Sequence, residues 1–289
     1  MAEILKLIGK PHDLGGGMTV TRIIPQAKKR MIGPFIFFDH MGPVDIAPGQ
    51  KIDVRPHPHI GLSTFTYLLE GRMVHKDSIG SDVTIKPGDV NWMTAGRGIS
   101  HSERGHPDDR NIPHRLHGLQ LWVALPDELE DAQPGFDHYD SSEIPRIETA
   151  THQLSVVAGQ AFGLKSKVKT SSPLILAEIK SKSAYGFIDL DFPGFEIGIY
   201  VIAGQVQVVE QTIDVHEMLT LPVNSKTRLE FDDRAHFIIL GGEPFQSPRF
   251  IWWNLVSSSR EKIEVAKAKW KDGTFPTVPG DNEFIPAPD

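Results

Sequence analysis

Glycine and proline interrupt this chain at short intervals, and this limits the possible folds more than any other feature of the sequence. The 289 residues include 26 glycines and 22 prolines, and several are neighbours, as in Pro87-Gly88, Pro134-Gly135 and Pro193-Gly194. Such pairs mark turns, and the segments between them are short. Short apolar or alternating segments between frequent turns are typical of strands, so the sequence predicts an all-β protein.

The predicted strands form two groups on either side of a polar, acidic segment. The first group comprises 63–69, 73–77, 83–85, 90–93 and 119–124. The second group comprises 154–158, 174–180, 184–191, 196–202, 205–209, 227–231 and 236–240. Strands and turns at this spacing are typical of a small antiparallel barrel or a double-sheet jelly roll.

The segment 126–147 between the two groups indicates a linker, because it contains three prolines and many acidic residues. We therefore predict an N-terminal domain over 1–135 and a C-terminal domain over 146–289. Each is long enough to bury a core of its own. Within 260–270, apolar residues recur at helical spacing and predict a short C-terminal helix.

Two pairs of residues in the first half have the types and the spacing of metal ligands. His57 and His59 form a His-x-His pair, and His101 and Glu103 form a His-x-Glu pair. Alternate side chains of a strand point to the same face. If the pairs lie on neighbouring strands, three imidazoles and one carboxylate point at one place. The sequence therefore predicts a mononuclear metal site in the N-terminal domain.

Each pair has a plainer interpretation when it is taken alone. The His-x-His pair alternates with Pro56 and Pro58, which is also expected of a turn-rich surface segment. A single His-x-Glu is usually an exposed pair. The recurrence of the same spacing in the same predicted barrel favours the metal site.

The donor types limit which ion such a site would hold. The chain has no cysteine, so the ligands must be nitrogen and oxygen. Imidazole suits iron, zinc, copper and nickel, and a carboxylate also suits manganese. We expect one divalent transition metal per chain, with positions left open for water, dioxygen or an anionic substrate. A closed structural zinc site is the alternative.

An internal repeat predicts that only the N-terminal half keeps these ligands. The segment 67–73 resembles 200–206 at an offset of 133 residues. The same offset moves the four candidate ligands, in order, to Leu190, Phe192, Arg234 and His236. The second half is therefore predicted to form a barrel without the ligand set.

Charge and composition argue against several classes of function. The net charge is −7, and Lys28-Lys29-Arg30 is the one dense basic run, so direct binding to nucleic acid is not expected. No apolar stretch is long enough to cross a bilayer, and the first ten residues do not resemble a signal peptide. We expect a cytoplasmic monomer that does not bind membranes.

Four segments resemble the pirin family, a branch of the cupin superfamily: 33–40, 55–61, 92–103 and 117–122. The resemblance implies a bicupin, with two β-barrels face to face and a metal in the first barrel alone. It also implies His57, His59, His101 and Glu103 as the ligands. Many cupins carry a glutamate shortly after the His-x-His pair, whereas Ser63 and Thr64 lie in that region here. As in pirins, Glu103 would then supply the carboxylate.

The resemblance leaves two functions open. The first hypothesis is an iron-dependent dioxygenase, in which O2 opens the heterocyclic ring of a quercetin-like flavonol and Glu103 acts as the general base. Manganese, cobalt, nickel, copper and zinc are alternatives to iron. The second hypothesis is a non-catalytic metal or redox sensor that acts through a protein partner, as a transcriptional co-regulator or a modulator of a metabolic enzyme.

Four further histidines of the first half are expected to be structural or to support the metal ligands: His75, His106, His114 and His117. Six aromatic side chains are expected in the core, where some of them could also line a substrate cavity: Phe35, Phe37, Phe38, Phe65, Trp92 and Trp122.

Overall fold

A computed structural model describes residues 3–14 and 17–288, and it confirms the predicted all-β architecture. Strands make up 53% of the chain and helices 7%. The one α-helix in the described part of the chain, α1 (Arg260–Lys271), lies near the C-terminus as predicted. Within the described residues, no helix is both long and apolar enough to span a membrane.

In chain order the strands are β1 (Leu5–Ile8), β2 (Lys10–Asp13), β3 (Thr19–Ile24), β4 (Phe35–Ile46), β5 (Asp53–His59), β6 (Leu62–Glu70), β7 (Met73–Asp77), β8 (Asp82–Ile85), β9 (Val90–Thr94), β10 (Ile99–Gly105), β11 (His114–Ala124), β12 (Gly135–Tyr139), β13 (Arg146–Glu148), β14 (His152–Ala161), β15 (Leu164–Lys165), β16 (Leu174–Ser181), β17 (Gly186–Asp191), β18 (Glu196–Ala203), β19 (Val206–Val208), β20 (Gln211–Ile213), β21 (Glu217–Leu221), β22 (Lys226–Phe231), β23 (His236–Gly242), β24 (Phe250–Trp252) and β25 (Leu255–Ser257). Short 3-10 turns lie at Pro107–Asp109, Asp127–Leu129 and Ser141–Glu143.

The chain folds into two compact units, and each is named here after the barrel that it contains. The N-terminal unit consists of 11–21, 38–141 and 246–289, and the C-terminal unit consists of 1–10, 22–37 and 142–245. The strands of the N-terminal barrel form one sheet in the order β12-β9-β6-β11-β4-β3-β2 and a second in the order β5-β10-β7-β8. The C-terminal barrel has one sheet in the order β1-β21-β18-β23-β16-β14-β13, with β15 paired to β14, and a second in the order β17-β22-β19-β20.

The strand orders of the two barrels match, which supports the internal repeat. They also show that the offset of 133 residues is right for the first ligand pair and wrong for the second. In the four-stranded sheet of the C-terminal barrel, β17 takes the place of β5 and β22 takes the place of β10. The offset of 133 correctly places Leu190 in β17. It wrongly places His236 as the counterpart of Glu103, because His236 begins β23 in the other sheet. The spacing between strands differs in the two halves, so one offset cannot hold throughout. Neither β17 nor β22 contains a histidine.

Much of the predicted linker is part of the N-terminal barrel. Residues 135–139 form β12, which pairs with β9 from Gly135 opposite Thr94 to Tyr139 opposite Val90. Most of β12 is only partly buried, which explains why a strand can lie within this polar, acidic segment. An edge strand can satisfy its backbone on one side and remain polar, so a polar segment need not be a linker.

The segment 246–289 packs on the N-terminal barrel, which sequence order did not indicate. Arg249 is buried and donates to the Leu125 carbonyl at 2.8 Å, and the Glu130 carboxylate accepts from the Ser257 hydroxyl at 2.7 Å. In α1, the side chain of Ser259 caps the first turn. Because of these contacts, the N-terminal unit includes 246–289, whereas the sequence places these residues in a C-terminal domain. The domain bounds 1–135 and 146–289 stay a prediction.

All six aromatic side chains that the sequence assigned to the core are buried: Phe35, Phe37, Phe38, Phe65, Trp92 and Trp122. Each unit has its own hydrophobic cluster. In the C-terminal unit the cluster includes Ile199, Leu229 and Phe237. In the N-terminal unit one cluster includes Leu68 and Leu116. The interior of the N-terminal barrel also contains a group of buried polar side chains, and these form the candidate site.

Candidate metal centre

The two predicted ligand pairs lie on adjacent antiparallel strands of the N-terminal unit. His57 and His59 end β5, while His101 and Glu103 lie on β10. In the register of the two strands, His101 is opposite His57, and Ile99 is opposite His59. The predicted placement of the pairs on neighbouring strands is therefore confirmed.

The three imidazoles converge inside the barrel. Each offers a nitrogen within 4.8 Å of the nitrogens of the other two, and Nε2 of His59 is 3.1 Å from Nε2 of His101. Their ring centroids are 4.4–5.0 Å apart. His57, His59 and His101 are 6%, 0% and 1% exposed. Water therefore has little access to the ring nitrogens of these histidines. Buried nitrogens need hydrogen-bond partners or a bound ion instead.

Backbone carbonyls determine which nitrogen of two of these histidines faces the centre. Nδ1 of His57 donates to the carbonyl of Arg55 at 2.9 Å, and Nδ1 of His59 donates to the carbonyl of Asn254 at 3.0 Å. A carbonyl accepts only, so the proton of each neutral ring lies on Nδ1 and the lone pair lies on Nε2. Converging lone pairs repel one another unless a cation lies between them. The donor set therefore fits a bound transition metal.

The surroundings keep the cluster uncharged at neutral pH. Burial lowers the pKa of His57 to about 4, and burial together with the neighbouring histidines lowers the pKa of His59 and His101 well below the usual value. Neutral imidazole is the form that binds metals, because a protonated nitrogen has no lone pair to donate. The site is therefore ready to bind an ion without first releasing protons.

The lowered pKa values predict how the stability of the metal-free protein depends on pH. Below pH 6.5 the histidines of the unfolded chain take up protons, while His57 in the folded chain stays neutral until about pH 4. The free energy of unfolding should therefore fall as the pH is lowered from 6.5 to 4, with each such histidine adding a slope of at most about 1.4 kcal/mol per pH unit. Urea unfolding at several pH values measures this slope. In His57→Phe the slope should be smaller, and an equal slope in both proteins would contradict the prediction.

Glu103 follows His101 by two residues on β10, but its carboxylate does not belong to the histidine group. Its carboxylate is outside the group whose ligand atoms are all within 4.8 Å of one another. The pairing of β10 with β5 shifts register between His101 and Glu103, and such an irregularity changes the direction of a side chain. Glu103 Oε1 instead accepts from the Thr66 hydroxyl at 3.1 Å. Burial raises the pKa of Glu103 above its usual value.

Polar and aromatic side chains surround the histidine cluster and Glu103. The Thr66 hydroxyl also lies 2.9 Å from Gln120 Oε1, so Thr66 connects Glu103 to β11. Trp122 stands edge-on to His59, with ring centroids 5.1 Å apart, and Phe136 of β12 stacks on His75 at 4.4 Å. Thr66, Gln120 and Phe136 carry no spacing signal, and the sequence analysis missed them.

The four further histidines predicted to be structural or supporting have different surroundings. His75 contacts His101, with 3.5 Å between their Nδ1 atoms. His106 and His114 have structural roles: His106 accepts from the backbone of Asp108 at 3.3 Å, and His114 bonds to a nearby carbonyl. His117 lies against His40 at 2.6 Å between Nε2 atoms, on other strands.

Among the described residues, one further group could offer metal ligands, but its geometry is less suited to holding an ion. Asp89, His138 and Asp140 place their ligand atoms within 4.8 Å of one another. His138 Nε2 is 3.9 Å from Asp89 and 3.8 Å from Asp140, which is also the arrangement of a histidine between two carboxylates. The side chain of Asp140 is 73% exposed, so water can solvate it. The histidine cluster remains the stronger candidate.

Comparison with solved structures supports the cupin fold. A crystal structure of quercetin 2,3-dioxygenase from Acinetobacter baumannii matches with a TM-score of 0.92 and 33% identity, and it covers 99% of this chain and 95% of that one. A crystal structure of a bacterial pirin from Escherichia coli in complex with nickel(II) has the same fold, with a TM-score of 0.65 and 18% identity over 84% of this chain and all of that one.

Sequence comparison identifies the family. Residues 17–123 match the family model Pirin, and residues 183–276 match the Pirin C-terminal cupin domain. A pirin-like protein of Caulobacter vibrioides is 43% identical over 95% of this chain and 96% of its own length. With two cupin domains and a buried histidine cluster in the first, the chain belongs to the pirin family.

Proposed function

We propose that this protein is a metal-dependent dioxygenase that uses O2 to open the heterocyclic ring of quercetin-like flavonols. The observation that carries the proposal is a buried, neutral three-histidine cluster, with the buried carboxylate of Glu103 two residues from His101 on the same strand. Membership of the pirin family and the close fold match to a protein described as quercetin 2,3-dioxygenase support it.

We assign one divalent transition metal to the Nε2 atoms of His57, His59 and His101, with Glu103 as a fourth ligand or an adjacent base. Iron is our first choice, and manganese, cobalt, nickel, copper and zinc suit the same donors. The nickel(II) complex of the Escherichia coli pirin supports this range. When bound, the ion would supply Lewis acidity and orient the substrate oxygen.

Glu103 has the properties of a general base for this reaction. The reaction requires removal of the proton from the 3-hydroxyl of the flavonol. Burial raises the pKa of Glu103, so its carboxylate is a stronger base than an exposed one. The Thr66 hydroxyl, 3.1 Å away, holds the carboxylate in place. Trp122 lies against His59 and Phe136 against His75, and we assign to them the apolar walls of the substrate site.

A turnover assay tests the proposal directly. The purified protein is analysed for bound metals, emptied with a chelator, and reloaded in turn with iron, manganese, cobalt, nickel or copper. Quercetin consumption, followed by absorbance, and O2 uptake are measured together. We expect at least one metal form to turn over quercetin faster than the same concentration of free ion. If none does, the enzyme proposal fails, and a sensor that acts through a protein partner becomes the better hypothesis.

Cytoplasmic location and the monomeric state also stay predictions. Gel filtration with light scattering, on the metal-free and metal-loaded protein, measures the oligomeric state.

A further inference from the structure

We propose that His75 and Asp77 of β7 hold His101 in the orientation and tautomer that direct its Nε2 toward the metal. This makes them positioning residues for the centre, and it rests on the proposed assignment of His101 as a ligand. The consequence is that the two residues control how tightly the site holds its ion.

A continuous chain of hydrogen bonds supports the proposal. Nδ1 of His101 is 3.5 Å from Nδ1 of His75, and Nε2 of His75 is 3.1 Å from Asp77 Oδ2. The other oxygen, Asp77 Oδ1, accepts from the backbone N–H groups of Ile79 at 3.0 Å and Ser81 at 2.9 Å. The chain therefore begins at a candidate ligand and ends on the backbone of a tight turn.

With His75 neutral, the donors and acceptors of this chain permit one consistent set of proton positions. A carboxylate only accepts, so Nε2 of His75 carries a proton that it donates to Asp77. The Nδ1 of a neutral His75 is then an acceptor, and the proton between the two rings belongs to Nδ1 of His101. This leaves the lone pair of His101 on Nε2, which faces Nε2 of His59 at 3.1 Å.

The three histidines of the cluster reach the same tautomer by two different routes. His57 and His59 donate to the backbone carbonyls of Arg55 and Asn254, which no side-chain substitution removes. His101 depends instead on the side chains of His75 and Asp77. A substitution can therefore change the orientation of one ligand and leave the others in place.

The sheet holds the two residues rigidly in position. In the register of β10 and β7, His101 is opposite Asp77 and Glu103 is opposite His75. His75 and Asp77 are 3% and 0% exposed, and the ring of His75 stacks on Phe136 with an angle of 17° between the planes. Burying polar groups is costly unless they form hydrogen bonds, and the bonds of these two residues lead to His101, so a role in holding His101 accounts for their burial better than packing alone does.

His75 is not well placed to be a ligand itself. It is outside the group of nitrogens that lie within 4.8 Å of one another. Its hydrogen-bond contact in the cluster is Nδ1 of His101, on the side of that ring away from Nε2. A partner behind a metal-bound histidine typically changes metal affinity about 10- to 100-fold when it is removed.

The test compares His75→Phe with His75→Gln. Phenylalanine keeps an aromatic ring against Phe136 but cannot accept a hydrogen bond, whereas the amide oxygen of glutamine can accept from His101. Affinity for Co²⁺ is measured by competition with a chelator, together with the visible absorption of bound Co²⁺. We expect His75→Phe to bind Co²⁺ about 10- to 100-fold more weakly with a changed spectrum, and His75→Gln to recover most of the affinity. His114→Phe, a histidine substitution outside the cluster, should match the unaltered protein.

Asp77→Asn is the second variant and changes little in size. An amide can donate to His75 and favour its other tautomer, which would place two N–H groups against each other between His75 and His101. We expect Co²⁺ binding at least about 10-fold weaker, while thermal melting of the metal-free variants shows that they fold. Native Co²⁺ affinity in both His75→Phe and Asp77→Asn would overturn the inference, as would equal losses in His75→Phe and His75→Gln. Tight Co²⁺ binding in the unaltered protein, with no quercetin turnover by any of the metal forms, would refute the proposed function and leave this inference standing.

Discussion

His59→Ala is expected to eliminate stoichiometric metal binding. His59 is fully buried, and its Nε2 faces that of His101 at 3.1 Å. Alanine removes one of three imidazole donors and leaves space that water can enter. Loss of a direct ligand should weaken binding by more than the roughly 100-fold upper range for loss of a supporting residue. Elemental analysis after dialysis and chelator competition with Co²⁺ measure the effect.

Asn254→Ala is the matched control for His59→Ala. His59 bonds to the backbone carbonyl of Asn254, which alanine also provides, so metal affinity should stay close to that of the unaltered protein. A His59→Ala protein that still holds one tightly bound ion per chain would show that the histidine cluster is not the metal site. The dioxygenase proposal would then lose its main support.

Glu103→Gln should retain the metal and lose most of the turnover of quercetin. Glutamine has nearly the same shape and can still bond to Thr66, but it cannot accept the proton of the 3-hydroxyl. General acid–base catalysis typically contributes about 10²- to 10⁴-fold, so the expected fall in kcat is of that order. Metal content and steady-state turnover are measured on the same preparation.

Glu103→Asp tests whether activity requires a carboxylate base or the exact length of the glutamate side chain. Aspartate is a base but is one methylene shorter, so part of the activity should return at the same metal content. Equal kcat in Glu103→Gln and the unaltered protein would remove Glu103 from the mechanism. A complete loss of metal in Glu103→Gln would instead make Glu103 an essential ligand.

Local periodicity predicted much of the fold. The strands expected at 63–69, 73–77 and 174–180 closely match β6, β7 and β16. Local patterns were less informative where tertiary contacts determine which barrel a segment joins. Residues 135–139 lie within the polar, acidic segment that predicts a linker, yet they complete a sheet by pairing with β9. The segment 246–289 has nothing in its composition that shows which barrel it packs on.

The sequence by itself determined the three histidines of the candidate centre, because side chains two apart on a strand share a face in any sheet. His57 and His59, together with His101, needed only that rule and neighbouring strands. Tertiary structure alone decided how these rings are held. The partner of His59 is the Asn254 carbonyl, 195 residues away along the chain, and the pairing of β10 with β5 shifts register between His101 and Glu103. Hydrogen bonds between distant segments depend on the folded backbone, which no local spacing encodes.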